Sequence, residues 1–433
     1  MLRPKKPLVQ SLFKFVRRNN ANILCAAGLT ASLTMPARAH GQEALRYSLA
    51  GETAAESMRA KIADLPYTIK SGDFKLLITP SLGLDYNDNI NVSRDNSLDD
   101  FILRPFVQFT ASYPIGERNL LSLDLGVGYD KYFNHDEYSG PRLHTGSQVA
   151  FDLFVGDFRF DLHDRFEYIG DSAGTAAVAG STRYQYFQNT VGLSSDWDLQ
   201  DVTITLGYDH LNYISTASFY EYLDRATEMF VARAGLKVHP KLTVGLEGSA
   251  APTSYDKPVL NNNVSYSAGV FGNYQPGHNF SLQPRFGYAL YDFQQTSLFV
   301  PAQNQNTWYG DITLQHQPSE AISYGVSLGH ELKLGIQSDA IEDTYFRPSI
   351  TWKIVKTVSL QSTVFYEHGI QTGGRFTLED TYDWYGGTLG ATWSFMKNLA
   401  ASLSYRLTLR SSNLPSQEYT QNLVSLLVTY SPR

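Results

Sequence analysis

The chain has 433 residues, with 28 Tyr, 24 Phe, 5 Trp, 33 Gly and 18 Pro, and a formal net charge of −7. A mildly acidic composition poor in Lys and Arg argues against a nucleic-acid binder. The single cysteine, Cys25, falls in a leader expected to be removed, so the mature chain has no thiol with which to build a disulfide or a cysteine-based metal site.

The leader comes first in chain order. Lys5, Lys6, Arg17 and Arg18 precede the apolar run "ILCAAGLTASLTMP" and then "ARA" at 37–39. That order is the pattern of a secretory signal peptide, residues 1–39. Residues 40–72 read as a short periplasmic segment. Within it Thr53 and Glu56 make a capping box, and Ala54, Met58, Ile62 and Leu65 form an apolar stripe before Pro66, which predicts one short helix. The helix is expected to pack on itself, to plug a lumen or to dock an envelope partner.

From residue 73 to 433 the pattern changes to period two. In "LLSLDLGVGYDKYF", 120–133, Leu121, Leu123, Leu125, Val127 and Tyr129 share one face, and Ser122, Asp124, Gly126, Gly128 and Asp130 share the other. Eight tight connections, at 115, 155, 198, 239, 276, 318, 355 and 396, alternate with longer Asn/Ser/Gly-rich ones such as 87–99, 170–182, 251–263, 298–306 and 369–381. Eight turns and nine loops make seventeen connections, hence about eighteen strands. No apolar run here reaches the roughly 18 residues a membrane helix needs, so any spanning falls to strands.

The apolar rows carry aromatics at both ends: Tyr113, Phe158, Trp197, Tyr274, Trp352 and Tyr430 beside the turns, and Tyr86, Tyr129, Tyr208, Tyr288, Trp308 and Tyr366 beside the loops. A protein core has no reason to sort aromatics into two rims, whereas a bilayer has two interfaces where such rings lie. The predicted fold is therefore all-β: a closed antiparallel transmembrane β-barrel in the outer membrane of a Gram-negative bacterium, turns in the periplasm and loops outside. Outer-membrane lipid is its surroundings, and the barrel-assembly machinery its partner during biogenesis, with Tyr430 as the aromatic end signal ahead of Ser431, Pro432 and Arg433. Pro80, Pro105, Pro284 and Pro348 fall inside strands, where bulges or kinks are expected to accommodate them.

The run "SGDFKLLITPSLGLDYNDNINVS" and the "DDFILRPFVQFTASYPIGERNLLSLDLGVGY" that follows resemble the opening of the putative beta-barrel porins of the second type. Pro80 and Ser81 match the Pro-Ser of that family's first strand, Tyr86, Asp88 and Asn89 its Tyr-x-Asp-Asn turn, and Pro105 the central proline of its second strand. The resemblance covers about 55 residues. It implies an outer-membrane barrel associated with exopolysaccharide synthesis and export, with no catalytic residue to carry over.

Barrels of 16 to 18 strands leave an aqueous channel. By strand parity the inward rows place Arg104, Asp124, Asp130, Asp152, Arg159, Asp161, Arg165, Glu167, Arg285, Asp311, Glu331, Arg347, Arg406 and Arg410 as pore-lining candidates, and Arg104, Arg406 and Arg410 are expected to form one basic patch near the seam. No loop looks long enough to fold inward, so a wide bore is expected. "DYNDNINVSRDN" falls short of a calcium loop, lacking the glycine at position six and the final glutamate. No metal, cofactor or catalytic site is expected. Two functions fit: a porin-like channel for passive solute passage or polysaccharide export, with an envelope export component as a partner, or a structural barrel that displays its loops without open-pore transport.

Overall fold

The computed structural model describes residues 66–432, apart from 171–173, 175, 181–183, 337 and 373–377. The leader and the helix expected over Thr53 to Leu65 lie outside the described residues. Eighteen long strands follow one another in a meander: β1 Phe74–Asn87, β2 Asp100–Ile115, β3 Asn119–Tyr132, β4 Gly140–Val155, β5 Phe158–Ile169, β6 Tyr186–Asp198, β7 Val202–Ser215, β8 Arg225–His239 and β9 Leu242–Tyr255. The second half continues with β10 Asn263–Gly277, β11 Phe280–Phe293, β12 Gln305–His316, β13 Ile322–Leu334, β14 Ala340–Val355, β15 Val358–Thr372, β16 Asp380–Trp393, β17 Leu399–Ser412 and β18 Tyr419–Tyr430. Each pairs antiparallel with the next, and β18 pairs with β1 over Leu423–Asn87 to Thr429–Ser81, which closes the barrel. Closure follows from the solvent: a lipid-facing edge would leave N–H and C=O groups unpaired in hydrocarbon.

The alternation read from the sequence becomes two faces of the wall. Leu121 and Tyr129 of β3 are exposed while Ser122 is buried, and on β17 Leu403 and Tyr405 are exposed over buried Ser404, Thr408 and Arg410. Both aromatic rims stand on the exposed face, with Tyr113, Phe158, Tyr274, Trp352 and Tyr430 at the turn end and Phe101, Tyr129, Tyr208, Tyr288, Trp308 and Tyr366 toward the loops.

The seam shows how an edge is covered. Pairing of β1 with β18 stops at Ser81, one residue before Pro80, which has no N–H to offer. Below that point β1 outruns β18, and the three-residue strand Ile69–Ser71 folds back on Phe74–Leu76 through Gly72 (φ 59°). Thr68 extends the cover: its N–H donates to the Leu76 carbonyl (2.7 Å), and its Oγ1 accepts from Ile78 N–H (3.0 Å).

At the other three prolines the expected bulges are absent. Pairing lapses between Leu103–Lys131 and Phe106–Gly128 beside Pro105, between Phe271–Arg285 and Tyr274–Leu282 beside Pro284, and between Phe346–Tyr366 and Ser349–Thr363 beside Pro348. Each ladder resumes in the same register, because a missing donor costs only its own hydrogen bond while a shift would turn every following side chain to the wrong face. Register shifts occur elsewhere: between β3 and β4 at Asp124/Val127 and between β4 and β5 at Leu143/Ser147, around Gly146 (φ 100°), and beside tight turns at Leu242/Thr243, Tyr274/Gly277 and Lys353/Val355.

Candidate functional site

The fourteen charged residues anticipated for the pore all stand on rows opposite the exposed apolar side chains, and most are held in cross-strand ion pairs. Arg104 reaches Asp85 (2.8 Å) and Asp130 (3.6 Å). Arg159 reaches Asp152 (3.0 Å), Asp196 (3.2 Å) and Asp161 (3.7 Å). The His163 ring bridges Asp161 and Asp209, 2.6 Å from each, and Arg165 lies 4.0 Å from Asp209. Glu247 receives Arg285 (3.2 Å) and Arg233 (3.7 Å). Lys333 contacts Asp343 (2.5 Å), Glu367 (3.4 Å) and Glu331 (3.8 Å), and Arg347 contacts Glu367 (2.8 Å). Asp124 accepts from the Gln108 amide, Asp311 from the Tyr345 hydroxyl (2.8 Å), and Glu167 stands opposite Gln188.

In four of these pairs, between β5 and β15, the cation is the more open partner. Side-chain exposure is 17% for Arg165 over 2% for Asp209, 20% for Arg233 over 0% for Glu247, 20% for Lys333 over 1% for Asp343, and 25% for Arg347 over 5% for Glu367. The carboxylates are sunk against the strands and the cations face the water. The order reverses at Arg159 (12%) and Asp196 (31%), and it is lost near β2 and β3, where Arg104 and Asp130 are equally open.

The basic patch expected from Arg104, Arg406 and Arg410 does not form. Arg104 is tied to the acids of β1 and β3, and Arg406 lies over the rings of Phe365 (5.5 Å) and Trp384 (5.9 Å). Arg410 is buried. It pairs with Asp380 (2.8 Å), donates from Nε to the Ala176 carbonyl (2.8 Å) and from Nη1 to the Gln417 carbonyl (2.6 Å), and covers the Tyr382 ring (4.4 Å).

Ala176 belongs to the connection between β5 and β6, and its contact with Arg410 overturns the expectation of a bore no loop enters. Ala176, Ala177, Val178 and Ala179 are buried inside the barrel. Ala177 and Val178 pack in a cluster with Leu211, Tyr213, Met229 and Ala251 of β7–β9, and Ala176 and Ala179 in another with Phe365, Trp384 and Tyr419 of β15, β16 and β18. Gly180 N–H donates to the Val92 carbonyl (2.8 Å). The segment thus spans from one wall to the far one. Its signal was present in the sequence as "AAVA" amid Gly, Ser and Thr, four small apolar residues that gain by leaving water and are slim enough to cross a lumen.

Other loops join it at the same end. Asn261 donates to Asp339 from its backbone N–H (3.2 Å) and its amide (3.0 Å), and its Oδ1 accepts from the backbone of Thr296 and Ser297. The Tyr222 hydroxyl donates to the Ile336 carbonyl (2.9 Å). Burial raises the Asp339 carboxyl above its ordinary value of 3.8, against the two Asn261 hydrogen bonds that favour its charge. The "DYNDNINVS" turn is an ordinary polar loop, in which the Asn89 amide donates to the Ser93 (2.7 Å) and Thr420 (2.9 Å) carbonyls.

Solved outer-membrane proteins are similar to the chain at low identity. The outer membrane protein OpdK from Pseudomonas aeruginosa is 12% identical, with 82% of this chain and 98% of that chain covered and a TM-score of 0.45. OccK2 (OpdF) of the same organism, solved in complex with glucuronate, is 10% identical over 83% and 98%, with a TM-score of 0.49. A BenF-like porin from Pseudomonas fluorescens Pf-5 is 9% identical over 83% and 99%, with a TM-score of 0.48. No curated protein sequence matches the chain. The family model of putative beta-barrel porin 2 matches residues 66–286, about half of the chain, and with the closed barrel and its charged interior this establishes a member of that family, an outer-membrane barrel built as a porin-like channel.

Proposed function

We propose that the barrel passes small anionic solutes by passive diffusion, and that the inward charges other than the buried Arg410 line the path. The observation that carries this reading is the order of charge in four ion pairs between β5 and β15, where the carboxylates lie sunk and Arg165, Arg233, Lys333 and Arg347 stand outermost. Inward charges on both partners are compatible with a membrane only if hydrated, and a permeating ion meets the outermost sign first. Residues 1–39 as the export signal and 40–72 as a periplasmic segment belong to the same reading. A polysaccharide conduit fits less well, since a polymer occupies the bore along its whole length and the segment 176–180 stands across its mouth.

Purified protein in a planar bilayer under a potassium chloride gradient tests the proposal. Stepwise conductance with a reversal potential on the chloride side is expected, and Lys333→Gln with Arg347→Gln should move that potential toward potassium. Absence of steps would transfer the role to display of the loops at the cell surface.

A further inference from the structure

The sunken position of the carboxylates has a repeated cause. In three places an inward tyrosine lies flat over a glycine of the preceding strand and turns its hydroxyl to an acid. Tyr309 of β12 covers Gly287 of β11 and donates to Glu247 (3.2 Å), Tyr345 of β14 covers Gly329 of β13 and donates to Asp311 (2.8 Å), and Tyr382 of β16 covers Gly369 of β15 and reaches Glu367 (3.4 Å). A Cβ on Gly329 would stand 2.4 Å from the Tyr345 hydroxyl, and one on Gly287 2.5 Å from the Tyr309 ring, so only glycine lets the rings reach the backbone. The three tyrosines are almost wholly buried.

On the bore side of a ring sits a cation. Arg347 lies over the face of Tyr345 (5.0 Å), whereas Arg410, over Tyr382 (4.4 Å), is itself buried against Asp380. Phe271, against Gly245, carries Arg233 in the same way (4.1 Å). The layers run glycine, ring, guanidinium. The ring's edge holds the acid down through its hydroxyl, and its negative face draws the cation up toward water.

We infer that Tyr309, Tyr345 and Tyr382 are positioning residues that set the sign of the bore, each pinning a carboxylate against the wall while the arginines stay outermost. This rests on the anion-passage reading. A hydroxyl hydrogen bond to a carboxylate shifts the population of the conformer it holds by about tenfold or more. Without it the acid is free to swing into the bore.

The test is a cycle of four proteins, wild type, Tyr345→Phe, Asp311→Asn and the double variant, each read by reversal potential in a planar bilayer. Phenylalanine keeps the ring over Gly329 and the stacking surface for Arg347, so only the hydroxyl is lost. Tyr345→Phe should lower the anion-to-cation permeability ratio by roughly twofold, Asp311→Asn should not, and in the Asp311→Asn background Tyr345→Phe should have no further effect. A shift of the same size in both backgrounds, or none in an anion-selective wild type, overturns the inference alone. A wild type without anion preference overturns the functional reading and the inference with it. Should Tyr345→Phe fail to show the heat-modifiable gel mobility of a closed barrel, Tyr309→Phe against Glu247→Gln runs the same cycle.

Discussion

The two ends of this barrel are built from strands of the same period, yet they are held by different kinds of contact. At the turn end, connections such as 116–118, 156–157 and 240–241 link adjacent strands, and contacts from them go to the next strand, as where Arg118 lies over Phe154 (5.0 Å) and the Lys241 carbonyl accepts from Gln275 N–H (2.9 Å). At the loop end, Arg410 holds a carbonyl 234 positions earlier in the chain, Tyr222 one 114 positions later, and Asn261 an aspartate 78 positions later. Short turns need only local geometry, whereas each long loop loses conformational entropy on ordering and stays in place only through buried contacts that offset it. Perturbation at the loop end should therefore change passage through the pore, and perturbation at the turn end should change only local stability.

The largest effect is expected at Arg410. Breaking a buried ion pair by removing one partner costs about 3 to 5 kcal/mol, and here the same side chain also holds Ala176 and Gln417. Arg410→Leu should release the crossing segment and raise single-channel conductance with little change of ion preference, because the arginine is buried against Asp380 and presents no charge to the bore. Unchanged conductance would mean the segment is held without it.

A smaller effect follows from Asp339. Its carboxyl is raised in the folded loops, so protonation favours the folded arrangement. Above the raised value the buried charge carries its full cost. As pH falls through that value toward the ordinary 3.8, the loop contacts gain stability. Protection of the amides at 259–261 and 296–300, measured against the intrinsic base-catalysed exchange rate at each pH, should rise as pH falls toward 3.8, and Asp339→Asn should flatten that dependence. Protection that falls on acidification would contradict the assigned direction.

The smallest effect belongs to the turn end. Gly156, between β4 and β5, has φ 62°, where a side chain costs about 1 to 2 kcal/mol. Gly156→Ala should lower resistance to denaturant by about that amount and leave conductance untouched. A change in conductance would remove the contrast between the two ends.

Periodicity made the barrel legible in advance. Because a strand's side chains alternate wherever its ladder is regular, Leu121 to Tyr129 declare a lipid face wherever the strand ends up, and eight tight turns between such runs count the strands. Parity likewise places Arg104, Asp152 or Arg347 inside without reference to any neighbour. Which acid each cation meets depends on register, and which member of the pair faces water depends on what lies beneath it, such as Gly329 under Tyr345 under Arg347. Neither is a property of one strand. The crossing segment is the clearest case: "AAVA" is visible in the sequence, but its destination is a wall more than 180 residues further along, and only the closed ring brings Phe365, Trp384 and Arg410 within its reach.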